Sequence, residues 1–200
     1  MIDLYSINIF VNQLTTLQET SKDTSDKNCH KYMTDSNLRV INFDKVKTNY
    51  ANSFRCSEDS AKSVDAVYQD VNRIIFIEFK NGKVEPSVVK SKIRDSLLIF
   101  LDIIGETLKF SRKHIEFILV YNHDKNLSKA RMSKTNTQPK ESLVKFTKYF
   151  SSKADKEFKS FALEKYEGIF FREIHTYTEV EFKNFLDGVI HPRQSRGLDL

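Results

Sequence analysis

The sequence contains few of the residues from which common nucleotide and metal sites are built. Its five glycines, at positions 82, 105, 168, 188 and 197, are too scattered to form a glycine-rich phosphate loop. No Gly-x-Ser-x-Gly element is present, which argues against a serine hydrolase of the α/β-hydrolase type. The two cysteines and five histidines lack the spacing of metal ligands, so we do not expect a zinc site.

Long hydrophobic segments are also lacking. No stretch approaches about 18 consecutive apolar residues, which excludes a membrane span. The segment that follows Met1 has none of the basic residues that begin a secretory signal. We therefore expect a cytoplasmic protein in which Cys29 and Cys56 are reduced thiols.

The remaining composition is that of an ordinary globular domain. The 200 residues are 40% apolar and 30% charged, and we expect them to form a single domain over residues 1–200. Most of the net charge of +5 lies in residues 123–140, which contain five Lys or Arg and one acid. This basic stretch is either an electrostatic footprint on nucleic acid or a solvated loop.

The hydrophobic pattern alternates between helical and strand periods and predicts an α/β fold. Two apolar strands separated by a helix favour parallel pairing of those strands. The predicted helices are 5–19, 92–109, 141–166 and 178–188, and the predicted strands are 63–68, 73–80, 115–121 and 169–174. Residues 20–36 are a predicted polar loop, and residues 38–50 are compatible with either a helix or a strand.

Charged residues at the end of an apolar strand form the most informative pattern. Glu78 and Lys80 lie two residues apart and therefore share one face of the strand, whereas Phe79 lies on the other. A hairpin can place Asp65 of the preceding strand beside Glu78. Because an unpaired buried charge costs several kcal/mol, as an order of magnitude, such a cluster needs a compensating partner. Two carboxylates can share a hard divalent cation such as Mg²⁺, and a nearby lysine can support attack on a phosphodiester.

The segments Ser63-Val64-Asp65 and Ile77-Glu78-Phe79-Lys80 resemble the motif of the PD-(D/E)xK, restriction-endonuclease-like nuclease superfamily. Val64 stands where the motif has proline. The resemblance implies an αβββαβ core with a mixed sheet over about residues 38–122, including a short strand at 54–57. Residues 123–200 would then be a helix-strand-helix extension.

The resemblance also implies roles for particular residues. Asp65 and Glu78 would hold one or two Mg²⁺ ions, for which Mn²⁺ is a possible substitute, and Lys80 would assist the attack of water on a phosphodiester. Many members of the superfamily carry a further acid on the first core helix, and the sequence leaves three candidates open: Asp44, Glu58 and Asp59.

Four cations follow the motif and are expected to contact nucleic-acid phosphates: Lys83, Lys90, Lys92 and Arg94. Cations in the first turn of a helix oppose its dipole, which favours phosphate contact over a merely solvated turn. The resulting hypothesis is a metal-dependent nuclease that acts on DNA or RNA. Two other readings stay open. One is an inactive protein of the same fold that binds nucleic acid, an immunity or antitoxin partner, or a second copy of itself. The other is a surface hairpin without a site.

Overall fold

The computed structural model describes residues 2–24, 30–126 and 161–190. Its strands are β1 Leu14–Thr16, β2 Lys22–Asp23, β3 Lys31–Tyr32, β4 Arg39–Asn42, β5 Ala66–Gln69, β6 Ile74–Lys80, β7 Ile115–Tyr121 and β8 Glu173–Thr178. Its α-helices are α1 Asn8–Val11, α2 Leu17–Thr20, α3 Phe43–Ser53, α4 Pro86–Ile104, α5 Leu108–His114 and α6 Glu179–Ile190. The α/β class is confirmed. Among these helices, none combines the length and apolar character needed to cross a bilayer.

Six of the strands form one mixed sheet in the order β1-β4-β5-β6-β7-β8, and β2 pairs separately with β3. Neighbouring strands are antiparallel from β1 to β6, whereas β6, β7 and β8 are parallel to one another. The parallel pair β6 and β7 is joined through α4, as the sequence pattern predicts. The carboxyl ends of β6 and β7 therefore meet at one edge of the sheet.

Strand β6 is covered on both faces. Ile74 and Phe76 pack in the same cluster as Leu97 of α4. Ile75 and Ile77 face the other way and pack with Phe182 of α6. Coverage on both sides explains why the strand is a continuous apolar run rather than an alternating one.

Helix α4 is shifted relative to the predicted helix 92–109. It begins at Pro86, a residue suited to the first helical position, since its missing N–H has no partner there anyway. It ends where Gly105 adopts a left-handed conformation with φ of 66°. The apolar period continues into Leu108, but that residue begins the separate helix α5.

The predicted helix 5–19 is wrong. The segment contains the short helices α1 and α2 with strand β1 between them. Strand β1 pairs with β4, and the carbonyl of Gln13 accepts the N–H of Asn42 at 2.8 Å. β-Branched Thr15 and Thr16 suit a strand, so tertiary pairing overrides the helical spacing of the apolar residues.

The ambiguous segment 38–50 contains both structures in succession. Strand β4 leads directly into α3, and the Asn42 side chain caps the helix by accepting the N–H of Lys45 at 3.1 Å. The short strand predicted at 54–57 is absent from this described segment: Phe54 ends α3, and Arg55 adopts a φ of 58°. The strand beside β5 is therefore β4, which precedes the helix instead of following it.

The C-terminal strand and helix are of the predicted types, but their bounds differ from the predicted ones. The strand predicted at 169–174 begins only at Glu173, because Gly168, with a φ of 71°, belongs to a turn. Thr178 and Glu181 form a capping box at the start of α6: the Glu181 carboxylate accepts the Thr178 N–H at 2.8 Å, and the Thr178 hydroxyl accepts the Glu181 N–H at 3.3 Å. Most of the predicted helix 141–166, and of the basic loop 123–140, lies outside the described residues.

Candidate active site

Glu78 and Lys80 lie at the carboxyl end of β6 and point to the same face. The Lys80 Nζ is 2.8 Å from Glu78 Oε1. The Glu78 side chain is 0% exposed, whereas that of Lys80 is 24% exposed. Burial of a carboxylate at a strand end is costly without cations beside it, and here Lys80 supplies one of them.

The β5–β6 hairpin brings Asp65 beside this pair. The Asp65 N–H donates to the carbonyl of Ile77 at 3.1 Å, which extends the antiparallel ladder by one residue. In return, Asp65 Oδ2 accepts the N–H of Phe79 at 2.6 Å. The Asp65 carboxylate is thus held by the backbone between Glu78 and Lys80.

Lys92 of α4 contacts both carboxylates. Its Nζ is 2.9 Å from Glu78 Oε1 and 3.3 Å from Asp65 Oδ1. Its side chain is 19% exposed, and it therefore lies inside the cluster. The sequence prediction grouped Lys92 with cations that face phosphate and did not anticipate this position.

Two further side chains of α4 hold the segment that leads to Asp65. Ser96 Oγ accepts the buried N–H of Val64 at 2.8 Å. Asp95 Oδ2 accepts the N–H of Lys62 at 2.9 Å. Lys92, Asp95 and Ser96 have the i, i+3, i+4 spacing of one helix face, so the sequence groups these side chains but does not indicate that the face meets Asp65.

Replacing Ser96 with alanine is expected to destabilise the protein by about 1–3 kcal/mol, because it leaves the buried Val64 N–H without an acceptor. Chemical denaturation monitored by circular dichroism measures this change. Ser91→Ala is the matched control, since the Ser91 hydroxyl makes only exposed hydrogen bonds on the same helix: it donates to the carbonyl of Ser87 and accepts from Arg94. Equal stabilities for the two variants would contradict the role given to Ser96.

Of the three candidates for a further acid, Asp44 lies by the site. It belongs to the first turn of α3, and its Oδ1 accepts the hydroxyl of Ser63 at 2.5 Å. Its charge acts on both Asp65 and Lys92. Glu58 and Asp59 instead occupy an exposed 3₁₀ turn, Glu58–Ser60.

The electrostatics of the cluster disfavour two ionised carboxylates. Burial, and then the neighbouring Glu78 and Asp44, raise the pKa of Asp65 to about 8, against the opposing effects of Lys92 and the Phe79 N–H. Burial alone would lower the pKa of Lys92, but the Asp65 and Glu78 carboxylates outweigh it and raise that pKa above its ordinary value. The Lys92 ammonium is accordingly charged at neutral pH.

A cavity of about 420 Å³ opens beside Asp65 and Lys80. The cavity is lined on one side by the end of β6 and the residues after it, and on the other by residues 20–24, which include β2. Asn81 Nδ2 donates to Asp23 Oδ2 at 2.6 Å, and Asn122 Nδ2 donates to Asn81 Oδ1 at 3.1 Å. These side-chain hydrogen bonds hold Asn81 at the edge of the cavity. Through the cavity a ligand can reach the Asp65 side of the cluster.

The other predicted phosphate-contacting cations do not join Lys92. Lys83 is exposed in the turn after β6. Lys90 and Arg94 each lie two residues from Lys92 and hence about 200° around the helix axis. Arg94 is exposed and donates to Ser91 Oγ at 3.5 Å, and Lys90 lies near Lys165. Their contact with nucleic acid stays a prediction.

A second buried carboxylate belongs to the opposite end and face of the sheet. Glu116, near the start of β7, is 1% exposed and lies 3.2 Å from Arg73 Nη1. Arg172 and His175 complete its surroundings at 3.8 and 4.0 Å. This cluster joins β6, β7 and β8 and is separate from the Asp65 cluster.

The acidic side chains of the cluster are of the type that binds a hard cation such as Mg²⁺. Among the described residues, no group of three or more His, Cys, Asp or Glu side chains is arranged to bind a metal. Asp65 and Glu78, however, face the same ammonium group, so their oxygens converge. Mg²⁺ is commonly bound through one or two carboxylates with waters filling the remaining positions, and this donor set suits it.

Comparisons with protein-family models, with curated proteins and with solved structures give no match. A functional assignment therefore depends on the geometry of the cluster formed by Asp65, Glu78, Lys80 and Lys92.

Proposed function

We propose that the protein is a metal-dependent nuclease that hydrolyses phosphodiester bonds of DNA or RNA. The observation that carries this proposal is the convergence of Asp65, Glu78 and Lys80 beside an open cavity. Burying charged groups costs free energy, and a cluster of them at the accessible end of a buried strand is typical of a functional site.

Asp65 and Glu78 are the residues that would hold Mg²⁺ or Mn²⁺. When bound, the metal lowers the pKa of a coordinated water and stabilises charge on the phosphodiester. The Phe79 N–H fixes the Asp65 carboxylate at 2.6 Å. Lys80 reaches from Glu78 towards the cavity, where its ammonium can orient water or stabilise the transition state.

We further propose that strands β4 to β7 with helices α3 and α4 are a restriction-endonuclease-like core. The antiparallel β4-β5-β6 arrangement and the parallel β6-β7 pair support this proposal. Asp44 on α3 is then the further helix acid that many members of the superfamily carry. The position of β4 before α3, rather than after it, is a departure from the expected element order.

The alternative is an inactive protein of the same fold that binds nucleic acid or a protein partner. One observation favours it: Lys92 already pairs with both carboxylates, so the cluster is compensated without a metal. A protein of this kind would stay folded, bind no divalent cation and cleave nothing.

Incubation of the purified full chain with linear duplex DNA, single-stranded DNA and RNA separates the two proposals. We expect cleavage of at least one substrate with Mg²⁺ or Mn²⁺ and none with excess EDTA. Calorimetric titration with Mn²⁺ should detect binding that Asp65→Ala removes. A folded protein without metal binding and without cleavage would favour the binding protein.

A further inference from the structure

The position of Lys92 distinguishes it from the other cations of the site. Its Nζ lies 2.9 and 3.0 Å from the two oxygens of Glu78 and 3.3 Å from Asp65 Oδ1. Lys80, which belongs to the strand itself, forms an ion pair with Glu78 Oε1 at 2.8 Å, and that buried oxygen accepts no hydrogen bond from the described residues. Lys92 alone of the two lysines therefore contacts both carboxylates, more closely at Glu78 than at Asp65.

The charges of the cluster set a limit on how many metal ions it can accept. Asp65 and Glu78 with the two lysine ammonium groups are neutral together when all four are ionised, and the charge of nearby Asp44 makes the total −1. One divalent cation raises the total by two charges, which suits an anionic phosphodiester. With one cation bound on the Asp65 side, a second would have to lie on the Glu78 side, where Lys92 makes its shortest contacts. Repulsion between like charges at contact distance is strong in such a largely buried place.

We propose that Lys92 takes the place of a second divalent cation, so that the site binds a single metal ion. This inference rests on the proposed nuclease function and specifies the metal content of that same site. Lys92 keeps its two short contacts with Glu78 and gives up its longer contact with Asp65 to the metal. The lysine side chain is flexible, so its ammonium group can move away from Asp65 while it stays in contact with Glu78.

Entry of the metal from the cavity is consistent with the exposure of the ligands. Asp65 lines the cavity and its side chain is 15% exposed, whereas Glu78 is fully buried behind it. The carboxylate that loses its lysine contact is therefore the one that solvent reaches. The helix that carries Lys92 is also anchored to this edge through Ser96 and Asp95, which keeps the ammonium at the site.

Titration of the full chain with Mn²⁺, followed by calorimetry and by the electron paramagnetic resonance of free Mn²⁺, counts the bound ions without any assay of cleavage. We expect one Mn²⁺ per chain in the wild type and two in Lys92→Met, which removes the ammonium but keeps the length of the side chain. Lys80→Met is the matched control: it removes the same charge but leaves Lys92 between the carboxylates, and should still bind one ion.

Two Mn²⁺ in the wild type would overturn the inference while leaving the nuclease proposal intact. A single Mn²⁺ in a folded Lys92→Met would overturn it as well. If Lys92→Met does not fold, the inference is tested by the number of Mn²⁺ ions bound by the wild type and by Lys92→Arg. The arginine keeps the charge, so this variant should also bind one ion. Absence of Mn²⁺ binding together with absence of cleavage in the wild type would instead overturn the proposed function.

Discussion

Replacing Glu78 with glutamine is expected to lower metal-dependent cleavage by on the order of 10³-fold or more. The substitution keeps the shape of the side chain but removes the charge that faces Lys80, Lys92 and the metal. Both lysines are partly exposed, so their ammonium groups can turn towards solvent and the fold is expected to survive. Initial rates with saturating Mg²⁺ measure the loss of activity.

Glu116→Gln is the matched control for this experiment. Glu116 is as buried as Glu78 and is paired with Arg73, the residue before β6, but it lies at the opposite end of the sheet. The control should therefore lower stability without removing the cleavage activity. Undiminished activity in a folded Glu78→Gln variant would contradict the role proposed for Glu78.

Metal binding is expected to depend strongly on pH. Burial and the nearby Glu78 raise the pKa of Asp65 to about 8, so its carboxyl group is protonated below that pH in the metal-free protein. A metal must displace this proton, and the apparent affinity should therefore fall about tenfold for each unit below about pH 8 and level off above it. Calorimetry in buffers of different ionisation enthalpy measures both the affinity and the released proton.

The groups that face Asp65 set the sign of this dependence. Glu78 on β6 and Asp44 on α3 favour the protonated form, whereas Lys92 on α4 favours the ionised form. Asp44→Asn keeps an oxygen for the Ser63 hydroxyl but removes one negative charge, and should move the midpoint to lower pH. An affinity that is constant between pH 6 and 8, with no proton released, would contradict this account of Asp65.

Local patterns in the sequence were sufficient to find the central strand and the acids near its end. The continuous apolar run Ile74–Ile77 is typical of a strand covered on both faces, and the structure has such a strand there. The alternation of residues in a strand places Glu78 and Lys80 on one face wherever that strand lies. The hairpin spacing then placed Asp65 beside Glu78.

Local patterns failed where tertiary pairing competed with them. The apolar residues of segment 5–19 fit a helical period, but pairing of Thr16 with Arg39 makes part of it a strand. Gly105 and Gly168, both in left-handed conformation, moved the ends of neighbouring elements away from their predicted positions. Element type was thus more predictable than element boundary.

The sequence by itself determined the α/β class, which follows from the alternation of helical and strand periods along the chain. It also determined that Glu78 and Lys80 share a face, because that follows from the period of a single strand. Only the tertiary structure decided that Lys92 and Asp44 complete the cluster. Their positions depend on how α4 and α3 are rotated against the sheet, which is set by the packing of buried residues such as Ile93 and Val46. A lysine on an amphipathic helix carries no local signal of which strand its ammonium group will meet. The packing of the helix on the sheet supplies that information.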